Sequence, residues 1–348
     1  MAGTTLQKYT INLGFTMANE MSMRAAVLEQ HNAPFKHAQI ARPTIAPGHV
    51  LVRVRASGVN PLDLKIRAGM AAHAKHPLPA ILGIDMAGVV EALGEGVASF
   101  NVGDEVYGMT GGVGNVQGSL AQYAVVDARL LSVKPKSLSL RQAASMPLVY
   151  ITAWEGLMDR ANVREGQSVL VQGGAGGVGN AAIQLARAMG ARVFATGSPG
   201  SADIIRHYGA IPIDYTSATV DEYVARHTDG VGFDLVYDTV GGSSLDASFS
   251  AVRRFGHVVS SLGWGSHALA PLSFRAATYS GVFTLLPLLS GQGREHHGEI
   301  LREIAKLVDA GKIHPRVDEH RFGLDSVHDA HALQESGKAA GKIVVDID

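Results

Sequence analysis

The sequence predicts an α/β protein in which a β-rich, barrel-like domain is followed by a doubly wound parallel sheet of six strands. Three observations carry this reading. Between Met23 and about Val126 the chain is cut into short β-branched runs, "MRAAVLEQ", "HVLVRVRASGV", "GVVEALG", "DEVYGMT" and "LAQYAVVD", separated by Pro and Gly as in a compact, mostly antiparallel domain. From Ser168 apolar runs alternate with helical segments, which is the rhythm of parallel strands joined by crossover helices. At the first strand-to-helix junction of that second region stand five glycines, Gly173, Gly174, Gly176, Gly177 and Gly179.

A chain of 348 residues is long enough for two domains with separate cores, and 46% apolar with 18% charged residues is the balance of a globular protein. The formal charge of -1 gives no electrostatic footprint for nucleic acid or an anionic membrane, so neither is expected as a partner. With no cysteine there is no disulfide, no thiolate nucleophile and no cysteine-ligated zinc. The first twenty residues lack the apolar core of a signal peptide and no stretch reaches the length of a membrane span, so a cytoplasmic location is expected. Residues 1–21 read as a loose extension ahead of the first strand.

In the second region the strands read in order as "SVLVQGG", "ARVFATG", "IPIDY", "FDLVYDTV", "GHVVSSLG" and "VFTLLPLL". The tail then carries a helical stripe, Ile300, Leu301, Ile304, Leu307 and Val308, stopped by Gly311. "GKIVVDID" follows as a closing strand, and periodicity leaves open which domain it joins.

Gly174-Ala175-Gly176-Gly177-Val178-Gly179 fits G-x-G-x-x-G between the strand "SVLVQGG" and a helix striped by Val178, Ala182, Leu185, Ala186 and Met189. In that context Gly174 is expected to make the tight turn, Gly176 to admit a pyrophosphate, and Gly179 to let the helix pack closely. The free N–H groups of Gly177 and Val178 at the helix start then face the phosphates. A purely structural turn is the alternative. NAD sites usually place an acid about 20 residues further on, whereas this chain reads Ala195-Thr196-Gly197-Ser198-Pro199-Gly200-Ser201, with no acid before Asp203. A 2′-phosphate is not repelled there, and Thr196, Ser198 and Ser201 can donate to it, so NADPH is the expected cofactor. The loop has no Arg or Lys to add a cation.

With "ASGVNPLDLKIRAG", "ILGIDMAGVVEALGEGV", "FNVGDEVYG", "YITAWEGL" and "DLVYDTVGG" in order around the glycine loop, residues 23–348 resemble the zinc-free quinone oxidoreductase branch of the medium-chain dehydrogenase/reductase superfamily. The resemblance implies a GroES-like catalytic domain over 22–147 and 288–348 and a Rossmann NADPH-binding domain over 148–287. It implies NADPH-dependent hydride transfer to a quinone or to the C=C bond of an α,β-unsaturated carbonyl. An enoyl-thioester reductase, or an NADPH-binding protein without catalysis, are the alternatives. Where zinc relatives carry metal ligands this chain has Asn60, Ile84 and Leu148, and two of these have no donor atom in the side chain, so no metal is expected. Conjugated carbonyls accept hydride without a Lewis acid; the resulting anion needs only a hydrogen-bond donor and a proton.

The resemblance places Asn60 at the nicotinamide or its ribose, where its amide can polarise a carbonyl. Lys65 and Asp63 follow in "NPLDLK": an extended segment would put both on one side, a helical turn would separate them. Lys65 is a candidate oxyanion donor or phosphate ligand, or a solvated surface lysine; Asp63 is a candidate catalytic group or a structural acceptor. Asp85 needs a cationic or N–H partner if buried, and Arg67 is a candidate. Thr152 resembles the threonine that lies against the cofactor, and Tyr215 the tyrosine beside the 2′-phosphate. Thr239, Val240, Leu262 and Gly263 end strands where such sheets bind ligands. His73 and His76 are weaker candidates for a proton donor, while "EHH", His328 and His331 read as solvated faces. The family often dimerises through a sheet edge, which "VFTLLPLL" would supply, so a homodimer is expected.

Overall fold

The structure, a computed structural model, describes residues 21–348. The extension expected over residues 1–21 lies, Met21 excepted, outside the described residues. The chain forms two compact units: one runs to Pro147 and includes Pro287–Glu299 and Pro315–Asp348, the other comprises Leu148–Leu286 and Ile300–His314.

The first unit opens with β1 (Ser22–Leu28), β2 (Lys36–Ala41) and β3 (His49–Gly58). In β3, Val52, Val54 and Ala56 are buried while Arg53 and Arg55 are exposed, the alternation that a half-buried β-branched strand requires. Helix α1 (Pro61–Arg67) follows at once. Pro61 sits in its first turn, and the Asp63 carboxylate accepts from the Asn60 backbone N–H at 2.8 Å, so Asn60 marks the helix start. Next come β4 (Ala80–Ile81), β5 (Asp85–Leu93), β6 (Glu105–Met109), β7 (Tyr123–Asp127), β8 (Leu131–Val133) and α2 (Leu140–Ala144). Met23, Ala25, Leu51, Ala121 and Tyr123 form a core cluster of this unit.

Helix α3 (Pro147–Trp154) leads into the second unit and continues as a π-helical turn over Glu155–Arg160. The sheet strands and helices then alternate: β9 (Ser168–Gln172), α4 (Gly177–Ala188), β10 (Arg192–Gly197), α5 (Ala202–His207), β11 (Ile211–Asp214), α6 (Val220–Thr228), β12 (Phe233–Asp238), α7 (Ser243–Ala251), β13 (Val252–Ser260), α8 (Ala270–Arg275) and β14 (Thr278–Gly281). All neighbours pair in parallel, in the order β11-β10-β9-β12-β13-β14. Leu170, Phe194, Phe233, Val236 and Phe249 belong to its core cluster.

Two expectations need correction. The sixth strand is Thr278–Gly281, not "VFTLLPLL"; the latter run turns at Thr284 and enters helix α9 (Leu286–Ser290), where Pro287 is tolerated because it lies in the first turn. The segment Ile300–His314, beginning within α10 (Arg294–Asp309) and expected with the first domain, groups with the second unit. The reason is local: the Gln184 side chain on α4 donates to the His314 carbonyl at 3.2 Å and accepts from the His314 N–H at 2.8 Å.

The chain closes with β15 (Phe322–Gly323), α11 (Val327–Glu335) and β16 (Val344–Asp346). Strand β16 pairs antiparallel with β3, completing the seven-stranded sheet β15-β16-β3-β5-β6-β8, with β7 also on β3. Among the described residues no helix is long and apolar enough to cross a membrane.

Candidate active site

The glycine-rich turn joins β9 to α4. Gly173, with φ +75°, makes the tight turn expected of Gly174. Gly174 is needed for proximity instead, since a Cβ there would lie 2.6 Å from the Ala195 Cβ on β10. A Cβ on Gly179 would lie 2.1 Å from the Gly173 oxygen, which confirms its packing role. Gly176 starts the helix in extended geometry, and a Cβ there would meet only the Gly173 oxygen, at 3.4 Å. Ala175, Gly176 and Gly177 are exposed and no side chain caps the helix, so its first N–H groups and dipole end are open to an anion. This cradle fits a dinucleotide pyrophosphate.

Thr196 is not available to a 2′-phosphate. It is buried, its hydroxyl donates to Gln172 Oε1 at 2.7 Å, and it accepts from the Gly173 N–H at 3.0 Å; it braces the turn. Ser198 and Ser201 stand 3.1 Å apart, hydroxyl to hydroxyl, just beyond β10. Arg206 is the nearest basic residue in sequence and is paired with Asp203 at 2.7 Å. Tyr215, after β11, is exposed.

At the end of β12 the buried Asp238 carboxylate accepts from the Gly241 N–H at 3.1 Å and from the Ser260 hydroxyl at 2.7 Å, tying the loops after β12 and β13 together. Thr239 donates to the Gln172 carbonyl at 2.7 Å, leaving Val240 exposed. Beyond β13, Leu262 is half-buried and Gly263 exposed. This loop is anchored by His267, which lies 2.8 Å from Asp246 Oδ1 and 3.1 Å from the Trp264 carbonyl. The hydrogen bond to the Asp246 carboxylate, then that to the Trp264 carbonyl, raises the His267 pKa, because an acceptor on each nitrogen favours the imidazolium. Thr152, on α3, is almost wholly buried; its hydroxyl donates to the Leu148 carbonyl at 2.7 Å and lies 3.0 Å from the Thr284 hydroxyl.

In the first unit Asn60, Asp63 and Asp85 are fully buried together. The Asn60 Nδ2 donates to Asp85 Oδ2 at 3.0 Å, while Lys342 Nζ donates to Asn60 Oδ1 and, at 2.8 Å, to the Val59 carbonyl. Burial pushes the Asp63 carboxyl up to about 7, with the Asp85 charge adding to the effect against the Asn60 N–H and Lys342. Burial also lowers the Lys342 ammonium, opposed by the Asp85 and Asp63 charges. Two sequence expectations change here, one open alternative is decided, and one residue is added. The helical turn separates Asp63, inside, from Lys65, which is exposed. Asp85 is served by Asn60 and Lys342 and not by Arg67, which pairs with Glu335 at 2.5 Å. Asn60 turns its amide to Asp85 and Lys342, with no exposed surface left for a substrate carbonyl. Lys342 itself went unnoticed in "GKIVVDID", where its only signal was a lone cation ahead of an apolar strand.

Asn60, Ile84 and Leu148 offer no free side-chain donor for a metal. The one donor among them, the Asn60 oxygen, is occupied by an ammonium, Ile84 is an apolar core residue, and Leu148 offers only its carbonyl, which Thr152 uses. Among the described residues no three His, Cys, Asp or Glu side chains gather as metal ligands. His73 is exposed and His76 half-buried, and burial lowers the His76 pKa. His297 and His331, expected on solvated faces, are buried; His331 packs edge-on against Phe35 with centroids 5.3 Å apart, and burial, then Arg67 and His328, push it down to about 3.

An open glycine cradle on a parallel sheet, in one chain with an antiparallel unit closed by its own C-terminus, defines a nicotinamide-dependent oxidoreductase. Family models agree: residues 46–136 match "Alcohol dehydrogenase GroES-like domain" and residues 209–345 match "Zinc-binding dehydrogenase". The chain is 36% identical over 314 residues to "2-methylene-furan-3-one reductase" of Solanum lycopersicum, covering 88% of this chain and 74% of that one. It is 35% identical, with the same coverage, to "NADPH-dependent alkenal/one oxidoreductase, chloroplastic" of Arabidopsis thaliana. A solved alcohol dehydrogenase superfamily protein from Novosphingobium aromaticivorans shares 58% identity and a TM-score of 0.92, over 94% of this chain and 100% of that one. The chain belongs to the quinone oxidoreductase-like branch of the medium-chain dehydrogenase/reductase superfamily.

Proposed function

We propose that this protein is an NADPH-dependent, metal-independent reductase of α,β-unsaturated carbonyls, with quinones as a second class of acceptor. The observation that carries it is the Asn60–Asp85–Lys342 network: a lysine ammonium and a carboxylate occupy the two polar ends of the amide that stands in the metal ligand's place. The enone and alkenal named in the relatives support the acceptor class. NADPH, when bound, supplies the hydride, which adds to the β-carbon while the α-carbon takes a proton from water. The N-terminus of α4 would hold the pyrophosphate, and Ser198 and Ser201 would donate to the 2′-phosphate. Thr152, Val240, Leu262 and Gly263 would border the nicotinamide, whose positioning supplies most of the catalysis.

The test is oxidation of NADPH and NADH by chelator-treated protein with 2-hexenal, 1,4-benzoquinone, 1,2-naphthoquinone and crotonyl-CoA. Chelator-resistant turnover of 2-hexenal, faster with NADPH than with NADH, is the expected result. Turnover of crotonyl-CoA alone would make the protein a thioester reductase, and activity abolished by chelator and restored by zinc would overturn the metal-independent mechanism.

A further inference from the structure

Tyr237 is an unusual occupant of a central strand, because a phenol buried on both sides of a sheet needs a partner for its hydroxyl. It lies wholly buried on β12, and its hydroxyl donates to the Thr152 carbonyl at 2.6 Å, across 85 residues of sequence. Its ring occupies the space that a side chain on Gly156 would need: a Cβ there would lie 2.6 Å from the Tyr237 Cζ and 2.7 Å from its oxygen. At this point the helix changes character. The α-helical span ends at Trp154, the next six residues are π-helical, and the Ala161 N–H reaches back five residues to the Gly156 carbonyl at 3.1 Å. A side chain inserted against the helical ladder is a known cause of such a widened turn. Burial raises the Tyr237 pKa well above its ordinary value, so the phenol remains a donor.

The same carbonyl belongs to a residue whose hydroxyl is held from two further directions. The Thr152 proton goes to the Leu148 carbonyl at 2.7 Å, an acceptor with no proton of its own to return. The single Thr284 proton lies between Thr152 Oγ1 at 3.0 Å and Glu155 Oε2 at 2.9 Å. Thr152 therefore has no proton left for a ligand, and its oxygen retains a lone pair. A ligand group bound there must be a donor.

We propose that Tyr237, seated in the Gly156 gap, is a positioning residue that fixes Thr152 as a hydrogen-bond acceptor for the carboxamide N–H₂ of the nicotinamide. This rests on the reading that places Thr152 at the cofactor, and it makes the pyridine ring's orientation depend on a strand that does not itself carry the hydroxyl.

The experiment compares Kd, by nucleotide fluorescence titration, and kcat/KM, with 2-hexenal as acceptor, for NADPH and for its 3-acetylpyridine analogue, whose acetyl group lacks the N–H₂ donor. Tyr237→Phe, which removes one neutral hydrogen bond, is expected to lower the preference for NADPH about fivefold. Gly156→Ala, which pushes the ring aside while keeping the phenol, is expected to do the same, and Thr152→Val to abolish the preference, with Thr152→Ser restoring it. Should Thr152→Val lose the preference while both Tyr237→Phe and Gly156→Ala keep it, the positioning role is overturned and the site reading stands. If Thr152→Val keeps it while NADPH is still turned over, Thr152 is not at the carboxamide, and both fall.

Discussion

Lys342 shows how much a single side chain decides. Its ammonium supplies the cation for a pocket containing Asp63 and Asp85, yet it touches them through the Asn60 amide. Removing it leaves the buried Asn60 oxygen without its donor, and the buried Asp85 charge, still bonded by the Asn60 Nδ2, without the cation that offsets it. Lys342→Met is therefore expected to cost about 3–5 kcal/mol of stability, and Asp85→Asn in the same chain to recover much of that loss, since one of the two buried carboxylates then carries no charge. Urea unfolding of the two single variants and the double variant checks this; additive losses would mean the two charges do not interact. Thr196 makes the complementary point. Its hydroxyl looked suited to a phosphate by position, and only its bonds to Gln172 and Gly173 show that it is occupied.

At the scale of elements, the β9–α4 turn separates binding from stability within one motif. Gly176→Leu adds a side chain where only the Gly173 oxygen lies near, in backbone geometry open to any residue. Binding of NADPH is expected to vanish with little change in melting temperature. Gly179→Ala drives a Cβ to within 2.1 Å of backbone and is expected to lose about 1–3 kcal/mol through overpacking. Nucleotide fluorescence titration and thermal melts of both variants distinguish the roles; a Gly176→Leu protein that still binds NADPH would remove the cradle from the cofactor site. Five strands of the parallel sheet were legible because each is a short apolar run between helical stripes. The sixth was misplaced because "VFTLLPLL" is as apolar as a buried strand, and composition does not separate a strand from a turn entering a short helix.

Across the whole molecule, two buried groups pull stability in opposite directions with pH. His331 is neutral in the native state down to about 3, whereas an ordinary histidine takes its proton near 6.5. The unfolded chain thus binds the extra proton first, and stability falls as pH drops through that window, by up to about 1.4 kcal/mol per unit for this one group. Asp63, raised from 3.8 to about 7, works the other way: it favours the fold below 3.8, and that benefit is lost as pH rises toward 7. His331→Phe, which keeps a ring against Phe35, is expected to flatten the acid loss between pH 6.5 and 4, and Asp63→Asn to leave stability higher at pH 7 relative to pH 4. Urea unfolding across this range checks both signs. An unchanged acid slope in His331→Phe would show that the loss comes from other groups.

The two-part architecture, the parallel sheet and the glycine cradle were determined by the sequence alone, because period-two and helical patterns and a glycine motif are local and repeat over several residues. The tertiary structure alone decided that Lys342 reaches Asn60 across 282 residues and that Tyr237 holds Thr152 across 85. Such bonds join single polar side chains on segments brought together by strand order, and one polar residue in an apolar run carries no period from which its partner can be read.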